Sequence, residues 1–399
     1  MSGMIDAAGW LLRGSRLFTT VIVSGLLAAC AGGGSGDMFG STPAPQQQQT
    51  TAIGSGQIRV GLVLPMSASG NAGLAAQSMK NAAELAITEF NNPNIQLLVK
   101  DDGGTAQGAQ QATQQALDEG AEIIIGPLFS QAVAAAGQTA RARGVPVIAF
   151  STDSSVAARG VYLLSFLPES DVDRIVDYAV SQGKRSYAAL LPDNAYGSVV
   201  EAAFKQAVAR KGARIVALER YSQDKAQMQE SVRRVAQAAG QADAIFIPDA
   251  ADTVPSVVGA LAATGVNPRR IQLLGTGQWD DQRIFNDAQL QGAWYPAPDS
   301  SGYRSFAGRY RARFGQDPVR TATLAYDAVS LVAALVKTQG AQRFSEQILT
   351  NPSGFSGIDG IFRFRSDGTS QRGLAVMRVS PSGGQIVSPA PKNFGATGT

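Results

Sequence analysis

The apolar run over residues 58–64 ends at Pro65, and the period of the sequence then changes. Ala75, Met79, Ala82, Ala83, Ala86, Ile87 and Phe90 recur at spacings of three and four, the stripe of an amphipathic helix. The same pair of patterns returns. Runs over 95–99, 123–125 and 145–150 alternate with helical stripes at Ala109, Ala112, Ala116 and Leu117 and over 133–140. The strand-like runs are apolar throughout instead of alternating with polar residues. A strand of that kind is buried on both faces, which implies a parallel sheet covered by helices on both sides and wound with right-handed crossovers.

The rhythm restarts after Pro168. Strands are expected over 187–191, 214–218, 244–247 and 271–274, and helices over 172–181, 198–211, 226–239 and 254–264. Two consecutive helices follow, over 303–314 and 321–338. Short β-type segments close the chain at 362–365, 374–379 and 385–387. Two α/β lobes in simple tandem would leave these late segments without a partner. They find a place if the chain crosses back to the first lobe and then returns to the second.

Composition narrows the function. The chain has 399 residues, 44% hydrophobic and 16% charged, enough for two sizeable cores. Its formal charge of +3 is spread over interspersed acids and bases with no basic stripe, so no nucleic-acid partner is expected. Histidine is absent, which removes the usual neutral-pH general base and the commonest metal ligand. GxGxxG and GxxxxGK[ST] are absent too. The chain is read as a non-enzymatic binding protein with no catalytic residue, metal or cofactor.

The one cysteine, Cys30, lies in Leu27-Ala28-Ala29-Cys30-Ala31-Gly32, after Arg13, Arg16 and an apolar stretch too short to span a membrane. This arrangement resembles a bacterial lipobox. Residues 1–29 then form a lipoprotein signal peptide, and Cys30 carries the lipid that anchors the chain on the periplasmic side of a membrane. Ala31, where an aspartate would retain a lipoprotein in the inner membrane, favours the outer membrane if the cell has two. Residues 30–56, rich in Gly, Ser, Pro and Gln, form a flexible tether with a mean span of roughly 30 Å.

Ligands of open parallel sheets bind outside the carboxyl ends of the strands. That rule selects, in the first lobe, Ser67, Ser130, Ser151, Thr152 and Asp153, and in the second, Tyr196, Asp249, Gln278 and Trp279. Two lobes whose loops face each other make a cleft able to close on a solute. Ser130 is expected to cap a helix beginning near Gln131, a place that also suits an anion. Asp101-Asp102 and Asp280-Asp281 are read as capping or loop-holding acids instead of catalytic pairs. Tyr196 and Trp279 either stack on a ligand or pack on their own loops.

Residues 58 to about 388 resemble the Leu/Ile/Val-binding group of type I periplasmic binding proteins. The carrying segments include Ile124-Ile125-Gly126-Pro127-Leu128-Phe129-Ser130, Asp193-Asn194-Ala195-Tyr196-Gly197, Ala325-Tyr326-Asp327-Ala328 and Gly357-Ile358-Asp359-Gly360. The resemblance implies two doubly wound parallel-sheet lobes joined by three crossovers. Residues 57–165 with 296–355 would form lobe one, 166–295 with 356–390 lobe two, and 391–399 a disordered tail. It also implies a small polar, amino-acid-like solute and an ABC permease as partners, with Ser130 and Ser151 to Asp153 touching the ligand. The second lobe departs from the amino-acid binders. Gly275-Thr276-Gly277-Gln278 follows the strand where they place an acid, and no aromatic lies near Asp249. Val147-Ile148-Ala149-Phe150-Ser151-Thr152-Asp153 and the run over 160–166 are similar to a second branch, the outer-membrane lipoproteins that activate penicillin-binding proteins. Its partner would be a peptidoglycan synthase.

Overall fold

A computed structural model describes residues 51–394, apart from 223 and 269. The leader, Cys30 and most of the tether lie outside the described residues, as do residues 395–399.

The first lobe is built on β1 (Thr51–Ile53), β2 (Ile58–Leu64), β3 (Ile95–Asp101), β4 (Ile123–Ile125), β5 (Val147–Ala149) and β6 (Val161–Leu163), in the order β1-β3-β2-β4-β5-β6. From β2 to β6 all pairings are parallel. The helices α1 (Asn71–Glu89), α2 (Ala106–Asp118) and α3 (Ser130–Arg141) cover it. The apolar stripe expected for α1 is the buried one, with Met79, Ala82 and Ala83 fully enclosed. Thr105 starts α2 by accepting a hydrogen bond from the Gly108 N–H at 3.0 Å.

The second lobe carries β7 (Ser186–Pro192), β8 (Arg214–Tyr221), β9 (Ala244–Phe246), β10 (Gln272–Leu274) and β11 (Trp294–Ala297). With them come α4 (Pro168–Ser181), α5 (Ala195–Arg210), α6 (Lys225–Ala238), α7 (Val254–Ala263) and α8 (Gln282–Phe285). The chain then crosses back. In α9 (Ser300–Phe314), Phe306 and Tyr310 pack on Ala82 and Leu85 of α1. In α10 (Ala322–Thr338), Leu324, Val329 and Val332 enter the first core. After α11 (Glu346–Leu349), a small antiparallel sheet of β12 (Phe355–Gly357), β13 (Gly360–Phe364) and β14 (Ser370–Arg372) precedes β15 (Ala375–Ser380) and β16 (Gly383–Ser388). The last two complete the second sheet, whose order is β16-β15-β11-β10-β9-β7-β8. The chain passes between the lobes at 164–167, 298–299 and 373–374.

Two segments differ from the sequence-based expectation. Thr51–Ile53, inside the tether expected over 30–56, pairs antiparallel with β3, and Ile53 packs on the first core. The β segment at 362–365, placed with the second lobe, lies instead in the small sheet. Phe362 and Phe364 are buried in the first core, and Phe364 meets Tyr162 at 5.3 Å between ring centroids. Two large aromatics on one face need a deep apolar surface, and the first lobe supplies it.

Candidate functional site

Strand ends of both lobes converge on a cavity of ≈ 440 Å³. Thr152, which follows β5, and Arg320, which precedes α10, line it from the first lobe. Phe166, Pro168, Ala297 and Pro298 line it from the crossings. Asp171, Tyr196, Gly277, Gln278 and Asp280 line it from the second lobe.

Each wall is held by local chemistry. Asn194 caps α5 by accepting from the Gly197 N–H at 2.8 Å, which fixes the first turn on which Tyr196 stands. A Cβ at residue 197 would lie 1.8 Å from the Pro192 carbonyl oxygen, so this turn requires glycine. The Tyr196 hydroxyl bonds the Thr276 Oγ1 at 3.1 Å, and burial pushes the phenol up to about 12. Asp171 lies in the first turn of α4, where its Oδ2 accepts the Gly277 N–H at 2.8 Å. Burial, with the nearby Glu169 charge, drives its carboxyl up to about 7, and the Gly277 bond pulls the other way. A carboxyl therefore stands beside residues 275–278 after all. It arrives from the start of a helix 106 residues away in sequence and not from the strand end itself.

Arg320 is the cation of the cavity wall. Its Nη1 and Nη2 donate to Oδ2 and Oδ1 of the fully buried Asp359 at 2.9 and 2.6 Å, an end-on fork, and Nη1 also donates to Thr323 Oγ1 at 3.2 Å. The guanidinium carbon lies 4.8 Å from the Phe166 ring centroid and 4.7 Å from that of Tyr303. Arg372, buried behind this group, lies 4.6 Å from the Phe166 ring and donates through Nε to the Ser165 carbonyl at 2.9 Å. Phe166 thus joins a cavity wall to the buried charges at the crossings.

Thr152, Tyr196 and Gln278 are the sequence-selected residues that line the cavity. The others have different employment. Ser67 is exposed, and its N–H donates to Asp101 Oδ1. Ser130 is the first residue of α3 and not its cap. Phe129 holds the cap position with no side-chain bond, because the chain is still extended there. Ser151 is buried and accepts the Asp153 N–H at 3.1 Å, while Asp153 caps the next turn through the Ser155 N–H at 3.0 Å. Asp249 accepts from the Tyr221 hydroxyl at 2.6 Å and the Ala250 N–H at 2.7 Å. Trp279, fully buried, belongs to the second-lobe core and not to the cleft. Its ring lies flat on Gly275, where a Cβ would sit 2.1 Å from ring carbon Cδ2. Gly275→Ala is therefore expected to cost about 1–3 kcal/mol by overpacking, read as a lower urea midpoint at unchanged slope.

Asp101 and Asp102 hold a loop, as their spacing implied: Asp101 accepts the Ser67 and Gly103 N–H groups, and Asp102 accepts that of Gly104. Among the described residues, no group of three or more His, Cys, Asp or Glu is placed to hold a metal ion.

The fold is shared with known proteins. A leucine-binding protein of Thermotoga maritima is 18% identical, with a TM-score of 0.56 over 83% of this chain and 98% of its own. A branched-chain amino acid ABC transporter periplasmic ligand-binding protein of Burkholderia xenovorans is 19% identical, with a TM-score of 0.66 over 85% of this chain and 97% of its own. A solute-binding protein of an ABC transporter from Rhodopseudomonas palustris, in complex with 3,4-dihydroxybenzoic acid, is 21% identical, with a TM-score of 0.59 over 84% and 97%. An uncharacterized protein of Rickettsia prowazekii is 22% identical over 157 residues, 39% of this chain, and the alignment spans 41% of that protein's length. The periplasmic binding protein family model matches residues 57–385, and the chain belongs to that family.

Proposed function

We propose that the chain is a non-enzymatic periplasmic receptor that captures a small amino-acid-like or aromatic solute between its lobes and delivers it to an ABC permease. The observation that carries this reading is the cavity itself. It lies at the strand ends of both sheets and the crossings form part of its wall, so hinge motion at the crossings would open and close it. Its lining of aromatic and proline surfaces, one cation and a few hydroxyl, amide and carboxyl groups is that of a site for a small organic molecule. Among proteins of this fold, one is complexed with leucine, and others with 3,4-dihydroxybenzoic acid and benzoate. The lipobox at Cys30 supports anchoring of this receptor on the periplasmic face of a membrane, the outer one where two are present.

Thermal unfolding in the presence of amino acids, amides, aromatic acids and peptidoglycan fragments tests the reading. A ligand at one hundred times its Kd adds about 2.7 kcal/mol to stability, which for a chain of this size is a shift of a few degrees. A panel that produced no shift, combined with recovery of a peptidoglycan synthase from envelope extract, would move the function to the activator branch.

A further inference from the structure

A guanidinium offers five N–H donors in a fixed plane. The three contacts of Arg320 use both hydrogens of Nη1 and one of Nη2. What remains is the Nε hydrogen and the second Nη2 hydrogen, which share the side edge of the group and form a second fork of the spacing that a carboxylate accepts. The side chain is 42% exposed and lines the cavity, while Asp359 is wholly buried. The inner fork is thus held by the protein, and the two remaining donors belong to a residue of the cavity wall. Phe166 and Tyr303 rings flank the guanidinium and hold its plane. A pre-set group of this kind loses little freedom when it binds.

The charge balance around Arg320 also favours an anion. Arg320 and Arg372 stand against Asp359 and Asp327. Burial drives the Asp327 carboxyl up to about 7, so near neutral pH it is partly uncharged. Within this cluster the two arginines outweigh Asp359 and the part-neutral Asp327, while the carboxyls of the cavity itself, Asp171 and Asp280, stand on the second-lobe wall. Facing it are Phe166, Pro168, Tyr196, Ala297 and Pro298, which offer apolar surface and two aromatic rings.

We propose that Arg320 is the anion anchor of the cleft, receiving on its free side edge the carboxylate of a small solute whose apolar body lies against Phe166, Tyr196 and Pro298. The proposal rests on the solute-receptor reading above and gives that site its ligand class. It moves the carboxylate contact from the Ser151–Asp153 loop, where Ser151 and Asp153 are engaged with their own loop, to a side chain that precedes α10.

The test is calorimetric titration of the full chain with matched acid and amide pairs: leucine and leucinamide, 4-methylpentanoate and 4-methylpentanamide, benzoate and benzamide. At least one acid is expected to bind at least tenfold more tightly than its amide. Arg320→Lys keeps a cation for Asp359 but loses the planar fork, and it is expected to weaken that acid by about 10- to 100-fold while narrowing the acid-over-amide ratio. Amides that bind as well as acids, or a folded Arg320→Lys variant with undiminished affinity for the acid, would overturn the anchor and leave the receptor reading standing. No binding by any of the six probes would overturn both. Where the variant fails to fold, the acid-over-amide ratio of the unaltered protein decides.

Discussion

Asp359→Ala should lower the stability of the protein by about 3–5 kcal/mol, among the largest single-residue effects in the chain. Asp359 is fully buried, accepts the end-on fork of Arg320 through both of its oxygens and takes the Thr323 hydroxyl at 2.6 Å. Its loss would leave Arg320 half-exposed and able to turn to water. Arg372 has no such escape. It is 5% exposed, and neither of its Nη atoms has a hydrogen-bond partner among the described residues. The negative charge of Asp359 is the leading electrostatic compensation for that cation, with Asp327 second. Removing it strands a buried positive charge at the crossings. Urea unfolding should show a lower midpoint at unchanged slope. Asp359→Asn, which keeps much of the shape but not the charge, should fall between the two. If Asn were as stable as the original residue, the effect would be one of packing and not of charge.

This cluster also shows what sequence can and cannot disclose. The continuous apolar runs that became β2, β3 and β4 were legible because burial on both faces leaves no alternation. The two late helices were legible as helices, and their return to the first lobe followed from their lack of a partner in a simple tandem and from the family resemblance; that Leu324, Val329 and Val332 are the residues buried there is visible only in the structure. β11 was not foreseen. It contains Pro296, which lacks an N–H and argues against a strand, and its parallel pairing to β10 rests on a single registered pair, Leu274 with Trp294. In the cavity, Thr152, Tyr196 and Gln278 follow strands or open a helix after one, so the strand-end rule found them. Phe166 lies in a crossing, Asp171 in the first turn of α4 and Arg320 in the loop before α10, so that rule could not. Their roles come from partners distant in sequence: Asp171 meets Gly277 across 106 positions, and Arg320 meets Asp359 across 39. Trp279 misled for the opposite reason. It sits on a strand-end loop, but the bare backbone of Gly275 lets its ring fold flat against the chain and into the core.

Stability should decline, not rise, as pH is raised from 5 to 8. Asp327 and Asp102 are 3% and 1% exposed, and burial lifts their carboxyls to about 7 and about 6 from the ordinary 3.8. A group whose folded pKa lies above its unfolded one binds more protons in the folded chain throughout the interval between them. Stability then falls with rising pH across that interval. Below about 4 both states are protonated and the penalty vanishes. Above about 7 both are ionised and the penalty is complete. The portion developed between pH 5 and 8 is about 3 kcal/mol for Asp327 and about 1 kcal/mol for Asp102, at 1.36 kcal/mol per unit. Asp171, half-buried on the cavity wall, adds in the same direction. The opposing carboxyls, such as Asp281 held down to about 2 by Arg283, titrate below this window. No histidine is present to add a transition inside it. Asp327→Asn should therefore remove about 3 kcal/mol of the decline between pH 5 and 8, with its largest relative gain at pH 8. Chemical unfolding at pH 5, 6.5 and 8 on both proteins reads this directly. A stability that climbed toward pH 8 in the unaltered chain would mean that Asp327 is ionised at neutral pH and closely paired with Arg372. The positive charge on which the Arg320 anchor depends would then be largely cancelled.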